Sequence, residues 1–229
     1  MKKYFKKFLP VLLILTLTLV TFVTVEAKTI TSDPKTVTVY SKSSKAYNNF
    51  LKKSISANEK MLTTVPNSKK ITNLKSTNTA VVTLKTQKGS GNAKGYTAVF
   101  LKIKKAGTAT VSYKIGTTTY KTKIIVKKYT NPFSTLKLGG QSITSKFKTN
   151  NVYTLSYAKY KNKSLKLNYK AKSGWTIVSA DYLLSTSSQK ADWVDNNKSF
   201  KVTKKNSALV IDAYNAKTKQ SEQIMIIFN

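Results

Sequence analysis

The stretch GTATVSYKIGTTTYKTKIIV, Gly107–Val126, decides how the rest of the chain is read. Two runs, Thr108–Ile115 and Thr118–Val126, alternate polar with apolar residues and are rich in β-branched and aromatic side chains. A period of two places successive side chains on opposite faces of a pleated strand. Gly107 and Gly116 sit in the gaps, where a turn needs permissive backbone, and Gly116–Thr117 is a two-residue hairpin signal. The segment therefore predicts two antiparallel strands with one face buried and one wetted.

The same pattern extends in both directions. Upstream, Thr36–Tyr40, Thr79–Thr86 (with Val81 and Leu84) and Tyr96–Lys104 read as strands. The last of these continues the pattern with Ala98 and Phe100, and with Leu101 and Ile103. One stretch departs from the pattern. Ser44–Asn58 spaces Ala46, Tyr47, Phe50, Leu51 and Ile55 as a helix does, with Ser43 or Ser44 as a cap. It predicts a helix of about three turns covering one end of a sandwich. Lys127–Phe133 reads as a junction, because Asn131–Pro132 signals a turn and breaks strand pairing. Beyond it, strands are predicted near Leu136–Leu138, Tyr153–Tyr157, Ser164–Tyr169, Thr176–Tyr182, Ser199–Thr203, Ala208–Tyr214 and Gln223–Phe228. Gly139–Gly140 is a turn, and Ala216–Lys219 joins a terminal hairpin. Short strands at this spacing suit a sandwich. The expected fold is all-β: two β-sandwich modules in tandem, residues 28–128 and 129–229, with a short helix inserted in the first.

The first module resembles the group 2 bacterial immunoglobulin-like domains over about residues 29–128. The resemblance rests on Ile71–Thr83, ITNLKSTNTAVVT, and on Lys104–Tyr113, KKAGTATVSY, with Ile124–Ile125–Val126 in the place of the family's final strand. The chain departs from the family around residues 43–70, which are longer, and at Leu74, near where the family often carries a tryptophan. The resemblance implies an immunoglobulin-like sandwich used on bacterial surfaces for spacing, adhesion or carbohydrate association. It brings no catalytic residues.

The start of the chain has a different character. Lys2, Lys3, Lys6 and Lys7 precede an apolar run from Phe8 to Val25, and Val25–Glu26–Ala27 has the small-x-small form of a signal-peptidase site. Residues 1–27 are expected to be a signal peptide, cleaved between Ala27 and Lys28. The run is near the lower limit for a spanning helix and carries Thr16, Thr18, Thr21 and Thr24, so no stable membrane anchor is expected after cleavage. The expected location is secreted or extracellular, with association to a cell wall.

Composition excludes more than it identifies. All 41 basic residues are lysine, and there is no histidine or cysteine. The usual acid/base group near neutral pH is absent, and so are thiol nucleophiles, disulfides and thiolate metal sites. Losing the first 27 residues removes four lysines and Glu26, leaving 37 lysines, seven acids and a formal charge of +30. A field of that size attracts polyanions. The chain leaves the cytoplasm in this reading and has no arginine for bidentate base contacts, so no specific nucleic acid is expected. The expected partner is an anionic cell-wall polymer or a cell-surface glycan.

The seven acids are Asp33, Glu59, Asp181, Asp192, Asp195, Asp212 and Glu222. Asp181 and Asp212 are the pair a hydrolase would use, and Asp192–Asn197 hints at a calcium loop without an EF-hand's spacing. Neighbouring lysines are expected to lower the pKa of these carboxyls rather than raise it, which disfavours a general acid. No enzyme activity, metal or cofactor is expected. If the second module binds carbohydrate, the rings to do so are Trp175, Tyr182 and Trp193, with Trp193 the most exposed.

Overall fold

A computed structural model describes residues 27–40, 58–184 and 191–229. Residues 1–26 of the predicted signal segment and all of the predicted helix except Asn58 lie outside these residues; Asn58 itself sits in a turn. Ala27 and Lys28 are exposed, immediately before the first strand. Among the described residues no helix is long and apolar enough to cross a membrane.

Seven strands come from the first half: β1 (Thr29–Val39), β2 (Glu59–Pro66), β3 (Ile71–Ser76), β4 (Val82–Lys88), β5 (Tyr96–Ile103), β6 (Gly107–Ile115) and β7 (Thr118–Lys128). They form a four-stranded sheet, β1-β7-β6-β3, and a three-stranded sheet, β2-β5-β4. The deciding stretch is the hairpin β6–β7, in register from Gly107↔Val126 to Ile115↔Thr118. Gly116 turns it with φ +59°, in the region open to glycine at little steric cost. β1 lies parallel to β7. Val81, Val82, Leu101, Ile103, Ala109, Val111, Ile124 and Val126 form the core of this half. In β5 the inward face is thus Val99, Leu101 and Ile103. Phe100 points the other way, with the Lys85 ammonium 5.7 Å from its ring centre, and Ala98 is only half buried. The sequence pattern marks residues of both faces of this strand, and Leu101 and Ile103 are the ones that fill the core.

The second half contributes β8 (Phe133–Leu138), β9 (Gln141–Ser142), β10 (Val152–Leu155), β11 (Ser164–Ala171), β12 (Trp175–Leu183), β13 (Ala191–Trp193), β14 (Ser199–Lys201), β15 (Ser207–Asn215) and β16 (Gln220–Phe228). A single helical turn, α1 (Tyr157–Tyr160), follows β10 where a longer strand was expected. The sheets are β10-β16-β15-β12-β13 and β14-β11-β8-β9. Between them lies a core built around Phe133, Phe147, Leu167, Tyr182, Phe200 and Phe228. Tyr182, Phe200 and Phe228 pack mutually in tilted and edge-to-face contacts, with ring centres 4.9–6.2 Å apart. Burying each such ring contributes roughly 1.5–3 kcal/mol. The opposite face of β15 and β16 is also buried, at Ala208, Val210, Met225 and Ile227, together with Val152 of β10. These strands therefore read as continuous apolar runs rather than alternating ones.

Candidate functional site

The two halves meet through side chains of β1, β7 and β16. The inward face of β16 runs Phe228, Ile226, Ile224 and then Glu222 and Gln220, leaving the apolar core for the junction. Gln220 Nε2 donates to the Lys128 carbonyl at 2.9 Å and to Glu222 Oε1 at 2.6 Å. Thr38 Oγ1 donates to Glu222 Oε1 at 2.9 Å. The Tyr40 and Tyr129 rings lie 5.8 Å apart, and the Tyr129 hydroxyl donates to the Phe147 carbonyl at 3.0 Å.

Glu222 is only 1% exposed. Burial pushes its carboxyl up to about 7, against hydrogen bonds from Gln220, Thr38, Tyr40 and the Thr130 amide that favour the charged form. Burial, and then the nearby Glu222, push the Tyr129 phenol up. The expectation from composition, that lysines lower the pKa of the carboxyls, fails for Glu222. Lysine abundance says nothing about a side chain that the strand register turns inward. Its signal was available, since Glu222 shares parity with Ile224, Ile226 and Phe228 along an apolar strand.

Above this junction opens a cleft of about 540 Å³, walled by Tyr40 and Tyr129 and rimmed by Lys104, Lys105, Lys128 and Lys148. Lys104 and Lys105 come from the β5–β6 connection and Lys128 from the end of β7. Lys148 comes from the second half, where it caps the 3-10 turn Thr144–Phe147. All four lysines are exposed. A second hollow of about 420 Å³ adjoins it, sharing Tyr129 and Lys148 and adding Thr130, Ser145 and Lys172. Together they form a groove with ammonium groups from both halves. Pockets of about 300–1,000 Å³ are the usual size for small-ligand sites. Chemically, this one offers point positive charges, hydroxyls and aromatic walls, which suits an anion bearing polar groups.

Elsewhere lysine covers outer strand faces as expected: Lys121 and Lys123 are exposed while Thr122 and Ile124, alternating with them, are buried. Among the described residues, one lysine–carboxylate ion pair forms, Lys85 with Glu59 at 2.9 Å.

The rings expected to bind carbohydrate do not assemble. Tyr182 is 2% exposed; its hydroxyl donates to Ser207 Oγ at 2.8 Å and accepts from the Thr203 amide at 3.1 Å, so its place is in the core. Trp175 is half buried at the start of β12. Trp193 is 63% exposed on the edge strand β13, opposite Asp181, and donates to Asp195 Oδ1 at 2.8 Å. Six residues along β12 separate the two tryptophan positions, roughly 20 Å at strand rise.

Asp181 and Asp212 are diagonal neighbours on the outer face of β12 and β15, where Asp181 pairs with Val210 and Asp212 with Ser179. Asp212 accepts from Ser179 Oγ and Gln223 Nε2. In the loop that hinted at calcium, Asn196 is occupied by both backbone polar groups of Tyr169, and Asn197 bonds Asn168. No group of residues that could hold a metal occurs among the described residues.

No protein-family profile matches this chain, and no curated protein matches it. Among solved structures it is similar to domains 4–9 of the surface layer protein SbsC, at 13% identity and a TM-score of 0.30, over 86% of this chain and 30% of that one. It is also similar to the adhesin InvE of Yersinia pseudotuberculosis, at 15% identity and a TM-score of 0.19, covering 71% and 49% of the two chains. Fibronectin(III)-like modules of Clostridium thermocellum CbhA match at 15% identity and a TM-score of 0.22, over 66% of this chain and 78% of that one. The chain thus spans about a third of the SbsC structure and about half of the InvE structure.

Proposed function

We propose that this chain is a secreted, non-enzymatic surface protein of two immunoglobulin-like modules, residues 28–128 and 129–229, held on anionic cell-wall polymers by charge and serving adhesion or spacing. The observation that carries the reading is the uncompensated lysine. After the predicted cleavage 37 lysines face seven carboxyls, a formal net charge of +30, and one lysine–carboxylate ion pair forms among the described residues. That exceeds what solubility asks, about 2–8 charges for a small domain. Group 2 bacterial immunoglobulin-like character belongs to the first module in this reading, on the residues quoted for it.

The test is a pull-down of residues 28–229 on purified cell walls, with and without their teichoic acids, across a salt series. Binding that needs the polymer and falls steeply with salt is expected, because such binding is driven by counterion release. Binding indifferent to both polymer and salt would sink the reading.

A further inference from the structure

The groove at the junction is more than part of a diffuse basic surface. We propose that it is a built binding site for a phosphodiester polymer with polyol or sugar spacers, one strand of which lies across both halves of the molecule. This inference rests on the wall-polymer reading above and names the site within it. Three observations carry it. Five lysines gather around the two adjoining hollows, about 540 and 420 Å³, whereas the smaller hollow of about 280 Å³ that carries Lys69, Lys70 and Lys88 belongs to the first half alone. The rim also draws Lys104, Lys105 and Lys128 from the first half and Lys148 and Lys172 from the second, so a ligand gains its full set of contacts only by bridging. Finally, the walls between the charges are not charged: Tyr129 supplies a ring, and Thr130 and Ser145 supply hydroxyls. An alternation of cationic and polar-aromatic patches matches a polymer in which single negative charges alternate with hydroxylated spacers.

Lysine sets the mode of contact. It is a compact point charge with freely rotating donors, able to meet a diester's single charge from many angles. The planar bidentate grip on carboxylates and phosphates is an arginine property, and this chain has no arginine.

The test is the affinity of residues 28–229 for a synthetic poly(glycerol phosphate) oligomer, measured by titration calorimetry at fixed moderate salt. Two variants are compared. One replaces Lys104, Lys105, Lys128 and Lys148 with Gln. The other replaces Lys75, Lys121, Lys123 and Lys163, exposed lysines outside both hollows. Both lose the same charge, and both change only exposed side chains, so circular dichroism should show each folded as the parent. The groove variant is expected to lose roughly tenfold or more in affinity and the control no more than about threefold, since only the former removes ordered phosphate contacts. Equal losses would overturn the groove while leaving charge-driven retention standing. No binding by the parent chain would overturn both. Equal affinity for a carboxylate polymer of the same charge density would overturn the phosphodiester assignment.

Discussion

Glu222→Gln isolates the energetics of the junction. In the folded chain the Glu222 carboxyl is lifted from its ordinary 4.5 to about 7. Each tenfold change in proton affinity is worth about 1.4 kcal/mol, so that gap corresponds to roughly 3 kcal/mol. The sign follows from which state holds the proton. Between pH 4.5 and 7 the folded protein keeps it and the unfolded chain releases it. The contribution of Glu222 is therefore fully present below pH 4.5 and is lost as pH rises towards 7. Gln keeps the Oε1 acceptor used by Thr38 and Gln220 and cannot ionise. The groups that face the carboxyl are Tyr40 and Tyr129, with Lys60 of β2 the charged neighbour. All of them are common to both proteins, and so are the other carboxyls. The stability of the Gln variant minus that of the parent should accordingly climb by about 3 kcal/mol from pH 4.5 to pH 8. Urea denaturation followed by tryptophan fluorescence reads this directly, because Trp175 and Trp193 both lie in the half that carries Glu222. A difference that stays flat across the window, within the extrapolation error of about 10–15%, would refute the buried, proton-holding carboxyl.

Two further predictions follow from the fold. Gly107 has φ +147°, and a Cβ there would sit 2.7 Å from Val81 Cγ2 in the first core. Gly107→Ala should cost about 2–3 kcal/mol by thermal denaturation, combining backbone strain with overpacking. Tyr182→Phe leaves the Thr203 amide without its acceptor and should cost about 1–3 kcal/mol, whereas Trp193→Ala, truncating an exposed edge residue, should stay within about 0.5 kcal/mol and leave wall binding unchanged.

Legibility in the sequence tracked how a strand is buried. β5, β6 and β7 start and stop within one or two residues of the alternating runs, because each has a wet face that makes the period visible. Alternation says which residues share a face, but not which face is inside. In β5 the pattern therefore yielded residues of both faces, Ala98 and Phe100 with Leu101 and Ile103; Leu101 and Ile103 fill the core, and Val99, also buried, was not singled out. β2, with its exposed Lys60 and Met61, and the three-residue edge strand β13 carry too little apolar pattern to be seen. β16 is buried on both faces, so its run was recognisable as a strand while the inward turn of Glu222 went unread. The groove was least legible of all. Lys104–Lys105, Lys128 and Lys148 lie far apart in the chain, and only the packing of β1 and β7 against β16 brings them to one rim.

The forces at this junction divide in a way that gives the groove a consequence. What holds the halves together is short-range and largely buried: the Gln220 and Thr38 hydrogen bonds and the Tyr40–Tyr129 ring contact, none of which salt screens strongly. What pushes them apart is charge, since Lys104, Lys105 and Lys128 face Lys148 and Lys172 across the groove with no acid among its lining residues. Within a Debye length of about 8 Å at physiological salt such like charges repel. A polyanion lying between them turns that repulsion into attraction on both sides. Binding and junction stability are then linked and must strengthen each other by the same factor. Salt acts on the two in opposite directions. It should weaken polymer binding, and it should stabilise the ligand-free junction by screening the lysines.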